Sequence, residues 1–434
     1  MRSHQPPQLL VLSNGHGEDV IALRLIEALL RRRPDLAVAV LPLVGTGETF
    51  AAAEARGRLR RVGPRRSLPS GGFSNQSLRG MLRDLGAGLP LLSWRQARLV
   101  RHWARQGWPV LAVGDLLPLL LAWTGGGPYA FLGTPKSDYT WTSPPPARWG
   151  ASPLADAYHR CKGSEWDPWE WALMADRRCR LVAVRDRLTA RGLRRRGVAA
   201  LAPGNPMMDG LAPSPLPEGL AASRRLLLLA GSRMPEALAN LRRLLEALPE
   251  TPAAPAPEAA PLAAAPLVVL VACGGRPTAA ELEPCLRACG FQPATRTDRP
   301  AGAGATPVWR RQGVELWLGW GCFATWAGWA EVGLATAGTA TEQLTGLGVP
   351  ALSLPGPGPQ FKAGFARRQS RLLGGAVRPL RSAEELRQAL LALLENGSER
   401  QRLGRIGRRR MGGPGGSDRL ASLLDQRLLA TGPP

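Results

Sequence analysis

Residues 8–33 read QLLVLSNGHGEDVIALRLIEALLRRR, and residues 224–248 read RRLLLLAGSRMPEALANLRRLLEAL. Each is an apolar run, then a turn with glycine, then a segment whose apolar residues recur at helical spacing. Uninterrupted apolar runs suit strands buried on both faces, as in parallel sheets covered by helices. AVAVLPLV (37–44), PVLAVGD (109–115), PYAFLGT (128–134), RLVAVRD (180–186) and LAPGNP (201–206) continue the pattern after the first opening. LVVLVAC (267–273), VELWLGW (314–320) and the strand-helix-strand stretch GLATAGTATEQLTGLGVPALSLP (333–355) continue it after the second. The expected class is α/β, with two Rossmann-like, doubly wound parallel-sheet domains facing a cleft. Residues 1–211 would form the first domain, APSPLPEGL (212–220) the hinge, and 221–405 the second domain. The Pro/Ala stretch 249–266 reads as a disordered insertion within the second, and 406–434 is a separate Arg-rich segment.

The chain has 434 residues, with 56 Lys+Arg against 33 Asp+Glu and a formal net charge of +23. Lys136, Lys162 and Lys362 are its only lysines. Such an Arg bias beside abundant Ala, Gly, Pro and Leu reflects GC-rich coding, although the basic surface still attracts phosphates or anionic lipid. A nucleic-acid partner is not expected, because the arginines do not interleave with aromatics in a recognisable binding module. The six cysteines form no CxxC pair; Cys285 and Cys289 could share a helix face, but without a nearby His they read as reduced thiols, not a metal site. No apolar run reaches the ~18–20 residues of a membrane span, and MRSHQPPQ lacks a signal-peptide core. A cytoplasmic protein is expected, or one held peripherally at the cytoplasmic face of a membrane. Residues 78–103 mix Leu, Met and Trp with five Arg, a composition that suits contact with an anionic membrane surface or an ordinary packed helix pair with a solvated Arg face.

In open parallel sheets ligands bind beyond the carboxyl ends of strands, so the turns after strands carry the argument. Gly15-His16-Gly17-Glu18-Asp19 lacks a dinucleotide fingerprint's third glycine and places acids where a pyrophosphate would arrive, which disfavours a nicotinamide site. Its acids can complement a helix start, or His16, Glu18 or Asp19 can face an acceptor hydroxyl. Gly231-Ser232-Arg233 combines backbone N–H groups with a guanidinium, an anion site if it is not a simple cap. In Gly338-Thr339-Ala340-Thr341-Glu342-Gln343 small residues admit a diphosphate to a helix start, and Glu342 can accept both hydroxyls of a ribose. Gln360, after the next strand, is placed to reach a sugar, and Asp115 at the end of an apolar strand is placed as a helix cap or a general base. Of the two tryptophan clusters, WLGWGCFATWAGW (317–329) reads as core, while WDPWEW (166–171) is too polar to be all core and is placed at the acceptor side.

These motifs together resemble the lipid-A-disaccharide synthases and, more closely, the synthase-related proteins of cyanobacteria; the glycosyltransferase that builds peptidoglycan lipid II is more distant kin. The resemblance runs through SNGHGEDVIA (13–22), PLVGTGE (42–48), GDLLPLL (114–120), FLGTPKSDY (131–139), PGNPMMDGL (203–211), LLAGSR (228–233), AGTATEQLTGLGVP (337–350) and RMGGPGGSDRLA (410–421). It implies a GT-B glycosyltransferase fold, with the nucleotide sugar held mainly by the C-terminal half, the acceptor by the N-terminal half, and the last helix crossing back to the first domain. It implies that Asp115 is the essential aspartate, that Gly231–Arg233 is the phosphate-side loop and that Glu342 is the ribose-binding acid. The synthases' N-terminal loop reads like GEASGD, and here it is Gly15-His16-Gly17-Glu18-Asp19.

The expected reaction is inverting transfer from a UDP-linked sugar to a lipid or lipid-linked acceptor, with Asp115 or His16 as base. No Asp-x-Asp metal motif is present, so Arg233 and the helix start at Gly338–Thr341 would stabilise the leaving diphosphate without a metal or other cofactor. A nucleotide-sugar 2-epimerase and a non-catalytic nucleotide-sugar-binding protein are the alternatives on the same fold.

Overall fold

The computed structural model describes residues 7–15, 17–64, 89–150, 152–211, 214–249, 265–294, 307–356, 358 and 361–430. The chain divides into two compact units. The first comprises Met1–Asp138, Leu154–Asp209 and Pro414–Pro434, and the second Tyr139–Pro153 and Gly210–Gly413.

Strands β1 Gln8–Ser13, β2 Ala37–Pro42, β3 Arg60–Arg61, β4 Val110–Gly114, β5 Tyr129–Gly133, β6 Cys179–Val184 and β7 Ala200–Leu201 form the first unit's sheet. Its order is β3-β2-β1-β4-β5-β6-β7, and every pairing is parallel. The second unit holds β8 Arg224–Leu229, β9 Leu267–Cys273, β10 Gln292–Ala294, β11 Val308–Arg311, β12 Val314–Trp320, β13 Val332–Ala335, β14 Ala351–Ser353 and β15 Val377–Pro379. Their order is β10-β11-β12-β9-β8-β13-β14-β15; only the β10-β11-β12 edge is antiparallel. This is the doubly wound α/β architecture that the apolar runs predict. Leu226–Leu229 illustrates why: all four leucines are buried, because helices cover both faces of the strand. Each contributes about 1.5–3 kcal/mol of burial.

Both sheets reverse direction once beside their first strand. In the first, the chain moves outward from β1 to β2 and β3, then lays β4 against the other side of β1, with Ser13 opposite Val113. In the second, it moves from β8 to β9 and β12, then returns to place β13 against β8, with Leu229 opposite Ala335. Such reversal points are where open α/β sheets bind ligands.

Residues Tyr139–Pro153 join the second unit because its arginines capture their backbone. Arg371, itself buried, donates Nε to the Ser143 carbonyl at 2.8 Å, and Arg367 donates to the Gly150 carbonyl at 2.9 Å. Arg410 lies 3.6 Å from the centroid of the Tyr139 ring and bonds Ser143 Oγ at 3.0 Å. The helix Gly416–Leu424 packs instead on the first unit's helix Gly17–Arg32, with Arg33 pairing Asp425 at 3.0 Å. The carboxylate of Asp209 accepts from the amides of Gly415, Gly416 and Ser417 and fixes where that helix begins.

Within the second unit, the helix Gly397–Met411 lies directly on the helix Thr339–Gly346. A Cβ on Gly404 would stand 2.3 Å from the Gly348 carbonyl oxygen, and one on Gly407 would stand 2.2 Å from that of Thr345. Only glycine permits this backbone approach.

Candidate functional site

The first unit gathers carboxyl groups at the reversal beside β1. Gly15 turns the chain after the strand with φ +91°, and a Cβ there would meet the Val44 carbonyl oxygen at 2.9 Å. The turn delivers Glu18 and Asp19 to the first turn of the helix Gly17–Arg32. From the neighbouring strand Asp115 caps the helix Leu116–Gly125, accepting from the Leu117 amide at 3.2 Å and from Asn14 Nδ2 at 2.9 Å. Both of these bonds fall on Oδ1. Glu18 accepts from Thr134 Oγ1 at 3.3 Å, and Asp19 accepts from Ser13 Oγ at 2.5 Å.

These acids are tuned away from their ordinary values. Burial pushes Glu18 up to about 7, with the charges of Asp115 and Asp19 adding to it and hydrogen bonds opposing. Burial raises Asp19 to about 6 against its bond from Ser13. Asp115 is raised as well, chiefly by burial, while its hydrogen bonds and Lys136 pull the other way. A cluster with carboxyl groups poised near neutrality can hold and release protons, the property a general acid or base needs.

Asn14, Thr134 and Lys136 are the members that sequence reasoning missed. Asn14 and Thr134 follow β1 and β5 directly, and their position just past a strand's carboxyl end was the available signal. Lys136 donates to Glu170 Oε2 at 2.5 Å and lies 4.9 Å from the Trp166 ring centroid. Glu170 is wholly buried. Trp166 is core, packed edge-on against Phe131 at 5.5 Å, whereas Trp169 is 56% exposed. Of WDPWEW, then, Trp169 is the tryptophan on the open surface. Trp317, Trp326 and Trp329 of the second cluster are buried, as expected of core.

The second unit's reversal has the opposite character. After β8 comes Gly231-Ser232-Arg233, with Ser232 exposed and Arg233 half-buried. Burial lowers the Arg233 guanidinium from its usual value, and Glu236 opposes the shift. Glu236 also accepts from the Phe361 amide at 3.1 Å, which ties this turn to the segment after β14. After β13, Thr336 Oγ1 donates to the Ala230 carbonyl at 3.1 Å and joins the two strand ends.

The helix Thr339–Gly346 starts there, and the first N–H groups of any helix have no intrahelical acceptor. Gly338, Thr339, Ala340 and Glu342 lie partly open to the surface. The side chains of Thr341 and Gln343 turn inward, and Thr341 Oγ1 bonds the Ala337 carbonyl at 2.6 Å. Gln369, another residue absent from the sequence reading, donates Nε2 to the carbonyls of Ala337 and Gly338 at 3.3 and 3.2 Å. A guanidinium on the turn after β8 and an open helix start after the neighbouring β13 each suit an anion, and Glu342 in that helix's first turn suits hydroxyl groups. His16 and Gln360 lie outside the described residues, as do 78–88 of the basic amphipathic segment.

The remainder of that segment belongs to the helix Leu89–Arg105, which buries Leu92, Gln96, Val100 and Trp103. Leu91, Trp94, Arg95, Arg98 and Arg101 form its exposed side. Among the described residues no helix is long and apolar enough to cross a membrane.

No protein-family model and no curated protein sequence matches the chain. Solved structures do match over nearly its whole length. The calicheamicin glycosyltransferase CalG4 has a TM-score of 0.58 at 16% identity, covering 100% of both chains. Acinetobacter baumannii MurG has a TM-score of 0.54 at 15% identity, covering 97% of this chain and 100% of its own. The UDP-GlcNAc 2-epimerase of Neisseria meningitidis, solved bound to UDP-GlcNAc, has a TM-score of 0.51 at 12% identity, covering 98% of this chain and 100% of its own. At these identities the likeness is one of fold: two Rossmann-like units of the GT-B type.

Proposed function

We propose that the chain is an inverting glycosyltransferase that moves a sugar from a UDP-linked donor to the hydroxyl of a lipid or lipid-linked acceptor, as the lipid-A-disaccharide synthases do. The observation that carries this reading is the division of chemistry between the two strand reversals: carboxyl groups tuned toward neutrality on the first unit, and a guanidinium and a helix start following adjacent strands on the second. The first suits proton removal from an acceptor and the second a departing diphosphate.

In this mechanism Asp115, or His16, takes the acceptor proton. The freed oxygen attacks the anomeric carbon, and the bond from that carbon to the diphosphate oxygen breaks with inversion. Arg233 and the amides opening the helix Thr339–Gly346 stabilise the negative charge that develops on UDP, so the transfer runs without a metal. Glu342 holds the ribose, and Gln360 the sugar. Glu18, near neutrality, stores the proton beside Asp115. The exposed Leu91, Trp94 and Arg95 side of the helix Leu89–Arg105 supports a lipid acceptor met at the cytoplasmic face of an anionic membrane.

The test is turnover of UDP-sugars with lipid acceptors in the presence of EDTA. Asp115→Asn should lower kcat by roughly 10²–10⁴-fold and leave UDP affinity unchanged. Unchanged turnover in both Asp115→Asn and His16→Asn would remove the assignment of the base. A nucleotide-sugar 2-epimerase is the second reading, favoured by several carboxyl groups able to carry protons in both directions. It would alter the sugar while still joined to UDP and would need no acceptor.

A further inference from the structure

The helix Arg187–Arg194 follows the carboxyl end of β6 and walls a groove of about 280 Å³ beside the edge strand β7. Arg187, Arg191 and Arg194 line it, with Ala190 and Ala202 as its small residues. Spacings of four and three place the three guanidinium groups along one helix face.

Arginines elsewhere on this basic chain commonly meet acids. Arg61 pairs with Glu54, Arg178 with Asp176, Arg224 with Glu331 and Arg402 with Glu399. In the groove, among the described residues, Arg187 and Arg191 are exposed and have no ion pair, and no carboxylate lines the walls. Arg194 donates to the Ala200 carbonyl at 3.1 Å, which holds it at the rim. The adjacent Asp186 is committed elsewhere, bonding Ser137 Oγ at 2.7 Å and the Thr189 amide at 2.8 Å. Like charges on one helix face repel, so the groove concentrates positive charge without an internal counter-ion.

We propose that this groove is a binding site for a phosphate group, carried by a lipid headgroup or by a small soluble phosphate. Guanidinium forks match phosphate oxygens in bidentate pairs, and two or more of them around one tetrahedral anion offset their mutual repulsion. The small side chains of Ala190 and Ala202 leave the room in which the anion sits. The site is separate from the transferase reading and does not depend on it.

Residue-resolved footprinting tests this on the full chain: phenylglyoxal modification of arginines, read by mass spectrometry in a phosphate-free buffer. One arm adds glycerol phosphate, one adds phosphatidylglycerol vesicles, and one adds phosphatidylcholine vesicles. Arg187 and Arg191 should be modified about tenfold more slowly when the site is some nine-tenths occupied, with the exposed Arg58 unaffected. Protection by glycerol phosphate alone identifies a soluble ligand, and protection by anionic vesicles identifies a headgroup. Equal rates at Arg187 and Arg191 in every arm would overturn the proposal, as would equal protection by phosphatidylcholine. Arg233 in the same digest, with UDP added, reports on the nucleotide site independently.

Discussion

Replacing Glu18 with Gln should stabilise the chain at alkaline pH and leave it unchanged in acid. Gln keeps the shape of the side chain and can still accept the Thr134 hydroxyl. It removes a carboxyl group that folding shifts from an ordinary value of 4.5 to about 7. The unfolded chain releases this proton near 4.5, while the folded chain keeps it until about 7. Between those values the native state binds the extra proton, so each increase in pH favours unfolding. Below 4.5 the native state carries no penalty from Glu18; above 7 it carries all of it. The full gap corresponds to roughly 3 kcal/mol, and water at the open side of the carboxyl reduces this to about 2 kcal/mol. For a unit of this size that is roughly 4–8 °C in melting temperature. Paired melts of wild type and Glu18→Gln from pH 4.5 to 8.5 give the difference curve. A Gln variant that is less stable at pH 8, or an offset that does not change with pH, would refute the reasoning.

Three further outcomes follow from the same geometry. Arg233→Ala should weaken UDP binding by about tenfold to a hundredfold, the scale of one charged hydrogen-bonded contact, while calorimetry shows uridine affinity unchanged. Gly407→Val should force the helix Gly397–Met411 off the helix Thr339–Gly346, lowering stability by about 1–3 kcal/mol in denaturant titrations and weakening UDP affinity with it. Lys136→Met leaves the buried Glu170 without its cation and should destabilise by about 3 kcal/mol at pH 8; because burial already raises the Glu170 pKa, the loss should shrink as the pH falls and Glu170 takes up a proton.

The two sheets were readable from sequence because parallel strands covered on both faces leave apolar runs such as LVVLVAC and RRLLLL, bounded by glycine turns and followed by helical spacing. β3 and β7 have two residues each, and the edge hairpin β10-β11 includes Pro293 and two arginines, so burial leaves no pattern in them. The transfer of Tyr139–Pro153 to the second unit is equally silent, since guanidinium groups grip carbonyl oxygens that every residue possesses. At the candidate site, the turns of interest were legible from their place after strands. The partnership of Asn14 with Asp115 was not: 101 positions separate them, and only the register of β1 on β4 brings them together. Helical phase decided the rest, turning Thr341 and Gln343 inward while leaving Glu342 toward the surface.

The anchoring of Gly415–Ser417 on Asp209 also orders the birth of the molecule. Residues 414–430 are synthesised after every residue of the second unit, yet the first unit's opening helix packs against them. On the ribosome the second unit has its full sequence while the first still lacks a wall. A nascent chain interrupted at Gly413 would hold the whole sequence of the second unit and a first unit whose opening helix is uncovered, the species on which a chaperone or protease would act first.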